Sequence, residues 1–126
     1  MKTTERTLEK TSVSTAEKVV TTFINALNDE DFTTAGKQLA PGMKFDGVMG
    51  SRESAEAYIH DMIHMKFKYD IKKLFADGDD VCLLYDINMG AATIFTCGWY
   101  HLENGKISSL KVVFDPRPLL EMQGKK

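Results

Sequence analysis

The hydrophobic period of this chain changes once, near Met65. Before that point, the apolar residues at positions 20–27 recur at i, i+3, i+4 and i+7, the stripe of an amphipathic helix. After it, apolar and polar residues alternate from Phe67 to Ile71, as in a half-buried strand. Helices followed by strands, rather than the two in alternation, predict an α+β domain.

Three helices are predicted before the change. Ser14 and Glu17 have the spacing of a capping box at the start of the first helix. A short second helix includes Leu39 and ends at Pro41, which cannot continue a helix. Ser51 is the predicted N-cap of the third helix.

The strands are predicted from alternation and from turn residues. Asn104-Gly105 is a strong hairpin signal because both residues tolerate positive φ. The predicted fold is therefore three N-terminal helices packed in a strongly curved antiparallel sheet. The predicted strands are residues 43–48, 67–75, 81–89, 93–102 and 107–115.

Composition excludes several classes of protein. The chain has 126 residues, 43% hydrophobic and 27% charged, with a net charge of −2. It fits one domain, 14–119, between tails 1–13 and 120–126. No basic cluster points to nucleic acid or anionic membranes, and no apolar run approaches the ~18 residues of a membrane span. No secretory signal is visible and the two cysteines lack metal spacing, so we expect a cytoplasmic protein.

One strand is apolar on both faces. Val81, Leu83 and Tyr85 share one face, yet Cys82 and Leu84 make the opposite face partly apolar. An antiparallel sheet with one wet face should alternate cleanly. We therefore expect a homodimer that covers the outer sheet face, although β-propensity alone would give the same pattern.

The order of elements, together with the segments 23–31, 45–53 and 103–107, resembles the nuclear transport factor 2-like (NTF2-like) superfamily. The ketosteroid-isomerase and SnoaL-like branch is the nearest in pattern. The resemblance implies a cone in which the sheet wraps the first helix around a deep apolar pocket, with no cofactor and no metal. It places Asp46 at the carboxylate base of the isomerases, and Phe23 and Cys97 at their oxyanion hole. Neither of these two can donate a strong hydrogen bond, so a standard ketosteroid isomerase is not expected.

The predicted catalytic residues are Asp46, Asp86 and His101. Asp46 is either a desolvated general base or a solvated strand-end carboxylate. Asp86 faces the pocket by register with the family, or pairs with a cation outside. His101 is either a proton shuttle or a surface histidine.

The pocket is expected to bind its ligand through ten residues. Trp99 could cover a flat ligand, but a single tryptophan is more often part of a core. His60 and His64 have ligand spacing without a third partner, and we interpret them as a solvated face. The predicted lining is Phe23, Leu27, Tyr58, Met62, Leu84, Cys97, Trp99, Leu110, Val112 and Phe114.

Two functions fit this pattern. The first is binding of a small apolar or carbonyl-containing molecule, with cofactor-independent isomerase, cyclase or hydratase chemistry at Asp46. The second is a non-catalytic ligand-binding or dimerisation module of the same fold. An open pocket with both Asp46 and a second polar group pointing inward favours the enzyme. A plugged pocket or an outward Asp46, with apolar surface outside the dimer contact, favours the module.

Overall fold

Four helices and six strands make up residues 15–124, the part of the chain that the computed structural model describes, with side chains described up to Glu121. Three of these helices precede the four long antiparallel strands, which confirms the predicted α+β order. The predicted cap at Ser14 lies outside the described residues. The elements are α1 (Thr15–Asn28), α2 (Phe32–Lys37), β1 (Leu39–Asp46), β2 (Ser51–Arg52), α3 (Ala55–Met65), β3 (Lys68–Asp77), β4 (Asp80–Asn88), β5 (Thr93–Glu103), β6 (Lys106–Phe114) and α4 (Arg117–Gly124).

All six strands form one sheet in the order β2-β1-β6-β5-β4-β3. The four long strands pair antiparallel, as predicted, but β1 runs parallel to β6. The register shifts between Ile71 and Lys73 and between His101 and Leu102. Such irregularities bend and twist a sheet, and here they accompany the curvature around α1. α1 packs against β3, β4 and β6.

Two predicted boundaries are wrong. β1 already begins at Leu39, which pairs with Ile107, so α2 ends at Lys37. Pro41 is accommodated in this strand because the β1–β6 register shifts around it. Ser54, not Ser51, caps α3, since its Oγ accepts a hydrogen bond from the Ala57 N–H at 3.1 Å.

The core lies between α1 and the inner face of the sheet. Alternate residues of β4 from Val81 to Ile87 are buried, whereas Cys82, Leu84 and Asp86 are only half-buried. The sequence left the facing of these last three open, with register against the family favouring the pocket, and the structure places them on the outer face instead. The more apolar of the two alternating sets occupies the core, and the other set forms the outer face.

α4 follows the last strand and was not predicted from the sequence. The Asp115 carboxylate accepts hydrogen bonds from the Arg117 backbone N–H and guanidinium, which lower its pKa to about 2. Leu119 of α4 packs against the core. Among the helices of residues 15–124, none has both the length and the apolar content to cross a membrane.

Candidate ligand-binding site

A cavity of about 270 Å³ opens between α3, the loop after β1 and the inner face of the sheet. Its mouth is formed by the 47–50 loop, and Leu119 of α4 contributes to its wall. A Cβ at Gly47 would lie 2.7 Å from Cζ of Phe45, so glycine here lets the Phe45 ring turn into the wall. The apolar wall consists of Phe45, Met62, Met65, Phe67, Ile87, Met89, Val112 and Phe114.

The ten predicted lining residues fall into three groups. Tyr58, Met62, Val112 and Phe114 line the cavity. A second group is buried in the core outside the cavity wall, and a third lies on the outer sheet face. Their roles in binding remain predictions. The core group is Phe23, Leu27 and Leu110, and the outer group is Leu84, Cys97 and Trp99.

Asp46 does not line the cavity. Its side chain is 63% exposed, and its Oδ2 lies 3.3 Å from Nζ of Lys111. Residues alternate along β1, and Met43 and Phe45 take the inner face. The predicted desolvation of Asp46 is therefore not seen, and its carboxylate points outward.

Asp86 and His101 also lie on the outer face. Asp86 Oδ2 is 3.8 Å from Nζ of Lys72. Asp80 Oδ1 lies 2.8 Å from Nδ1 of His101 and also accepts a hydrogen bond from Nε1 of Trp99. The hydrogen bond to Asp80 raises the pKa of His101. The prediction that Asp86 faces the pocket is wrong, and His101 belongs to a surface cluster instead.

All four tyrosines of the chain gather at the cavity. Tyr58, Tyr69 and Tyr85 line it, and Tyr100 is buried beside Tyr85. The rings of Tyr69 and Tyr85 are 5.5 Å apart. A Cβ at Gly98 would lie 3.1 Å from the Tyr100 ring and 3.3 Å from the Tyr85 ring, so both rings use the space that this glycine leaves.

The phenols interact as two pairs, Tyr58 with Tyr69 and Tyr85 with Tyr100, and the Tyr69 hydroxyl donates to the sulfur of Met62 at 3.6 Å. Burial raises the pKa of each of the four, and the neighbouring phenol partly offsets this for Tyr58 and Tyr85. Buried phenols stay neutral and can donate or accept. Sequence reasoning identified only Tyr58. The signal for Tyr69 and Tyr85 was their place in the alternating apolar sets, which we interpreted as packing.

Arg52 and Asp61 form a charged pair in the cavity wall. Arg52 Nε lies 2.7 Å from Oδ2 of Asp61, and the Asp61 side chain is 23% exposed. Arg52 also donates to the Ser51 carbonyl at 2.8 Å. The Asp61 charge contributes to the raised pKa of Tyr58. Sequence reasoning missed this pair because the 52–61 spacing carries no known motif.

No group of three or more His, Cys, Asp or Glu side chains within residues 15–124 is arranged to hold a metal ion. His60 and His64 lie side by side on α3, with rings 4.6 Å apart. Nδ1 of His64 is 2.9 Å from the His60 carbonyl oxygen.

Helices held against a curved six-stranded sheet, with an apolar cavity on its inner face, define an NTF2-like protein. The chain belongs to the SnoaL-like domain family, whose profile matches residues 20–110. This confirms the resemblance that the sequence suggested. No curated protein matches the chain.

Solved structures agree with this assignment. An NTF2-like protein of unknown function from Cytophaga hutchinsonii is 52% identical, with a TM-score of 0.82 over 86% of this chain and 96% of its own. An LEH-like epoxide hydrolase from M. tuberculosis is 22% identical, with a TM-score of 0.72 over 89% and 97%. A protein of unknown function with a cystatin-like fold from Methylobium petroleophilum is 14% identical, with a TM-score of 0.74 over 82% and 77%. The last two likenesses concern the fold alone.

Proposed function

We propose that this protein binds a small, mostly apolar molecule in the cavity and holds one neutral oxygen atom of that molecule with phenol hydroxyls. The cavity volume of about 270 Å³ lies near the small end of ligand pockets, so a ligand of one or two rings fits. The apolar walls of the cavity favour a ligand that is mostly hydrocarbon. The charged residues of the wall, Arg52 and Asp61, neutralise each other.

The tyrosine cluster is the observation that carries this proposal. Tyr58 and Tyr85 each lie beside a second phenol that affects their pKa, and each also lines the cavity. A buried phenol stays neutral and keeps its proton to donate to a ligand oxygen. A ketone or hydroxyl oxygen of the ligand is the acceptor that suits two neutral donors.

The test is calorimetric titration with 1-tetralone and with tetralin, which share a ring skeleton and differ in the carbonyl oxygen. We expect the ketone to bind more tightly, because a neutral hydrogen bond contributes about 0.5–1.5 kcal/mol. Tyr85→Phe should remove that preference, whereas Tyr100→Phe, buried outside the cavity wall, should keep most of it. Equal affinities for both compounds in the wild type would overturn the role of the phenols.

A second candidate function, proton-transfer catalysis, is favoured by the Arg52–Asp61 pair. Asp61 is a carboxylate in the cavity wall, oriented by Arg52 and close enough to Tyr58 to affect its pKa. In this proposal it takes the role of general base that the sequence assigned to Asp46. A carboxylate beside neutral phenol donors suits removal of a proton next to a carbonyl, as an isomerase, cyclase or hydratase requires.

Deuterium exchange at the carbon next to the tetralone carbonyl separates catalysis from binding alone. Exchange faster than in buffer, and lost in Asp61→Asn but not in Asp46→Asn, would support an enzyme. Tight binding without exchange would support the non-catalytic module for this ligand.

We also propose that the outer sheet face is covered by a second copy of the chain. Four large apolar side chains on this face are between 49% and 61% exposed: Phe75, Phe95, Trp99 and Val113. Trp99 lies opposite Cys82, and Val113 lies opposite Cys97, so the patch is continuous across the strands. Continuous apolar patches of this kind mark interaction surfaces.

Sedimentation velocity tests the proposed dimer. Phe95→Lys should shift the wild-type dimer to a monomer, whereas Val48→Lys, at the mouth of the cavity, should leave it unchanged. A wild-type monomer across the concentration range would overturn the proposal.

A further inference from the structure

Cys82 and Cys97 lie on neighbouring strands of the outer face, with their Sγ atoms 3.5 Å apart. Each residue is half-buried and unbridged in a single chain, so the pair is not sealed in the core. They lie on the opposite side of the sheet from the cavity. Their chemistry is therefore independent of the proposed ligand site.

We propose that Cys82 and Cys97 form a reversible thiol–disulfide pair, which a small disulfide oxidant closes and a small thiol reopens. The pair is a modification site on the outer face. It would exist whether or not a ligand occupies the cavity.

The contact between the sulfurs favours formation of the bond, and the strand register makes that bond easy to reduce. Leu84 lies opposite Cys97 and Trp99 lies opposite Cys82, so the two cysteines are diagonal neighbours. Diagonal Cα atoms are usually about 7–8 Å apart, beyond the roughly 4.4–6.8 Å that disulfides prefer. The sulfurs already meet across this diagonal.

Closing the bond takes the sulfurs from 3.5 Å to about 2.0 Å. Part of this movement comes from side-chain rotation and part from a small shift of β4 against β5. The resulting bond would be strained, and strained or exposed disulfides are the ones that thiols reduce readily. The geometry thus favours a reversible bond over a permanent structural bridge.

The reaction is two successive exchanges. One cysteine loses its proton and attacks a sulfur of oxidised glutathione, which forms a mixed disulfide and releases one glutathione thiolate. The second cysteine loses its proton and attacks the protein sulfur of that mixed disulfide, which closes the Cys82–Cys97 bond and releases the second glutathione. The protein loses two electrons, the oxidant gains them, and the two cysteine protons end on the released thiols.

The surroundings favour the reduced state at rest. Burial raises the pKa of the Cys97 thiol, and its hydrogen bond with Cys82 acts in the same direction. The predicted cytoplasmic location would also keep the thiols reduced. Where two copies pack through this face, as proposed above, the pair would be covered. We therefore expect oxidation to accelerate as the protein is diluted.

The experiment incubates the full, folded chain with defined ratios of oxidised and reduced glutathione, followed by acid quenching, alkylation and mass spectrometry. We expect both alkylatable thiols to be lost together, with loss of two hydrogen atoms and a peptide that links Cys82 to Cys97. Dithiothreitol should restore both thiols. The fluorescence of Trp99, the single tryptophan of the chain and the cross-strand partner of Cys82, should fall on oxidation and recover on reduction.

Cys82→Ser and Cys97→Ser are the matched controls, because each keeps the size of the side chain and removes one sulfur. Each should stop at the mixed disulfide with glutathione. Accumulation of mixed disulfides in the folded wild type, or of bridges between chains, would overturn the proposal. It would also be overturned if the folded wild type, diluted until sedimentation shows a monomer, failed to react under conditions that oxidise the urea-unfolded chain.

Discussion

Arg52 Nε lies 2.7 Å from Asp61 Oδ2, which joins the two-residue strand β2 to α3 at the cavity wall. β2 pairs with the rest of the sheet only at Phe45 and Asp46. The ion pair is thus a second attachment for the segment that forms the mouth. It also fixes the orientation of Asp61, the one carboxylate that residues 15–124 contribute to the cavity wall.

This pair should matter more for the site than for global stability. The two side chains are 45% and 23% exposed, so we expect Arg52→Ala and Asp61→Asn each to lower the free energy of unfolding by about 1 kcal/mol or less. Urea denaturation of both single variants and the double variant would measure the coupling. A coupling well above this range would show that the pair belongs to the structural frame.

Asp46→Asn should have little effect on stability or on ligand binding. The Asp46 carboxylate is 63% exposed and its contact with Lys111 is long, so the change in unfolding free energy should stay within about 0.5 kcal/mol. Tetralone affinity should also be unchanged. If tetralone affinity fell in Asp46→Asn but not in Asp61→Asn, the functional carboxylate would be Asp46, as the sequence predicted.

Gly98→Ala should destabilise the tyrosine cluster. Its new Cβ would lie 3.1 Å from the Tyr100 ring and 3.3 Å from the Tyr85 ring, and overpacking of this kind costs about 1–3 kcal/mol. Gly42→Ala is the control, because its Cβ meets nothing within 4 Å. Thermal denaturation of both variants makes the comparison. Equal melting temperatures would mean that the two rings have room to move apart.

The His101–Asp80 contact should make stability depend on pH. The pKa of His101 is raised by its hydrogen bond to Asp80, so its contribution is complete below the unfolded value of 6.5 and is lost as pH rises through the folded pKa. The pKa of Asp80 is lowered, chiefly by Trp99 and then by His101, so its contribution is complete above 3.8 and is lost as pH falls through the folded pKa.

Urea midpoints between pH 5 and pH 9 test this dependence. We expect the wild type to lose stability relative to His101→Gln as pH rises, with the same loss absent in Asp80→Asn. If the urea midpoint changed with pH in the same way in the wild type and both variants, the His101–Asp80 contact would contribute nothing to stability, contrary to this prediction.

The sequence predicted the fold well because the fold depends on patterns that single residues do not control. The apolar stripe of α1, the alternation in β4 and the Asn104-Gly105 turn each specify an element locally. The boundaries of β1 were less predictable. Whether Leu39 ends a helix or starts a strand depends on its pairing with Ile107, a contact that no local pattern encodes.

The site was harder to predict because it depends on which face of each strand turns inward. If the alternation along a strand is assigned one residue out of step, all of its inner and outer side chains are exchanged. This is why Asp86 and Cys97 were expected in the pocket. The tyrosine cluster brings together residues from α3, β3, β4 and β5. A single sequence contains no signal for that convergence.

The most direct test of ligand binding in the cavity is methyl NMR of the methionines during titration with 1-tetralone. Met62 and Met89 line the cavity, whereas Met43 is fully buried elsewhere in the core. We predict saturable shifts at Met62 and Met89, a small response at Met43, and a weaker titration in Tyr85→Phe. Shifts absent from Met62 and Met89, or equal at all three methionines, would contradict binding in this cavity.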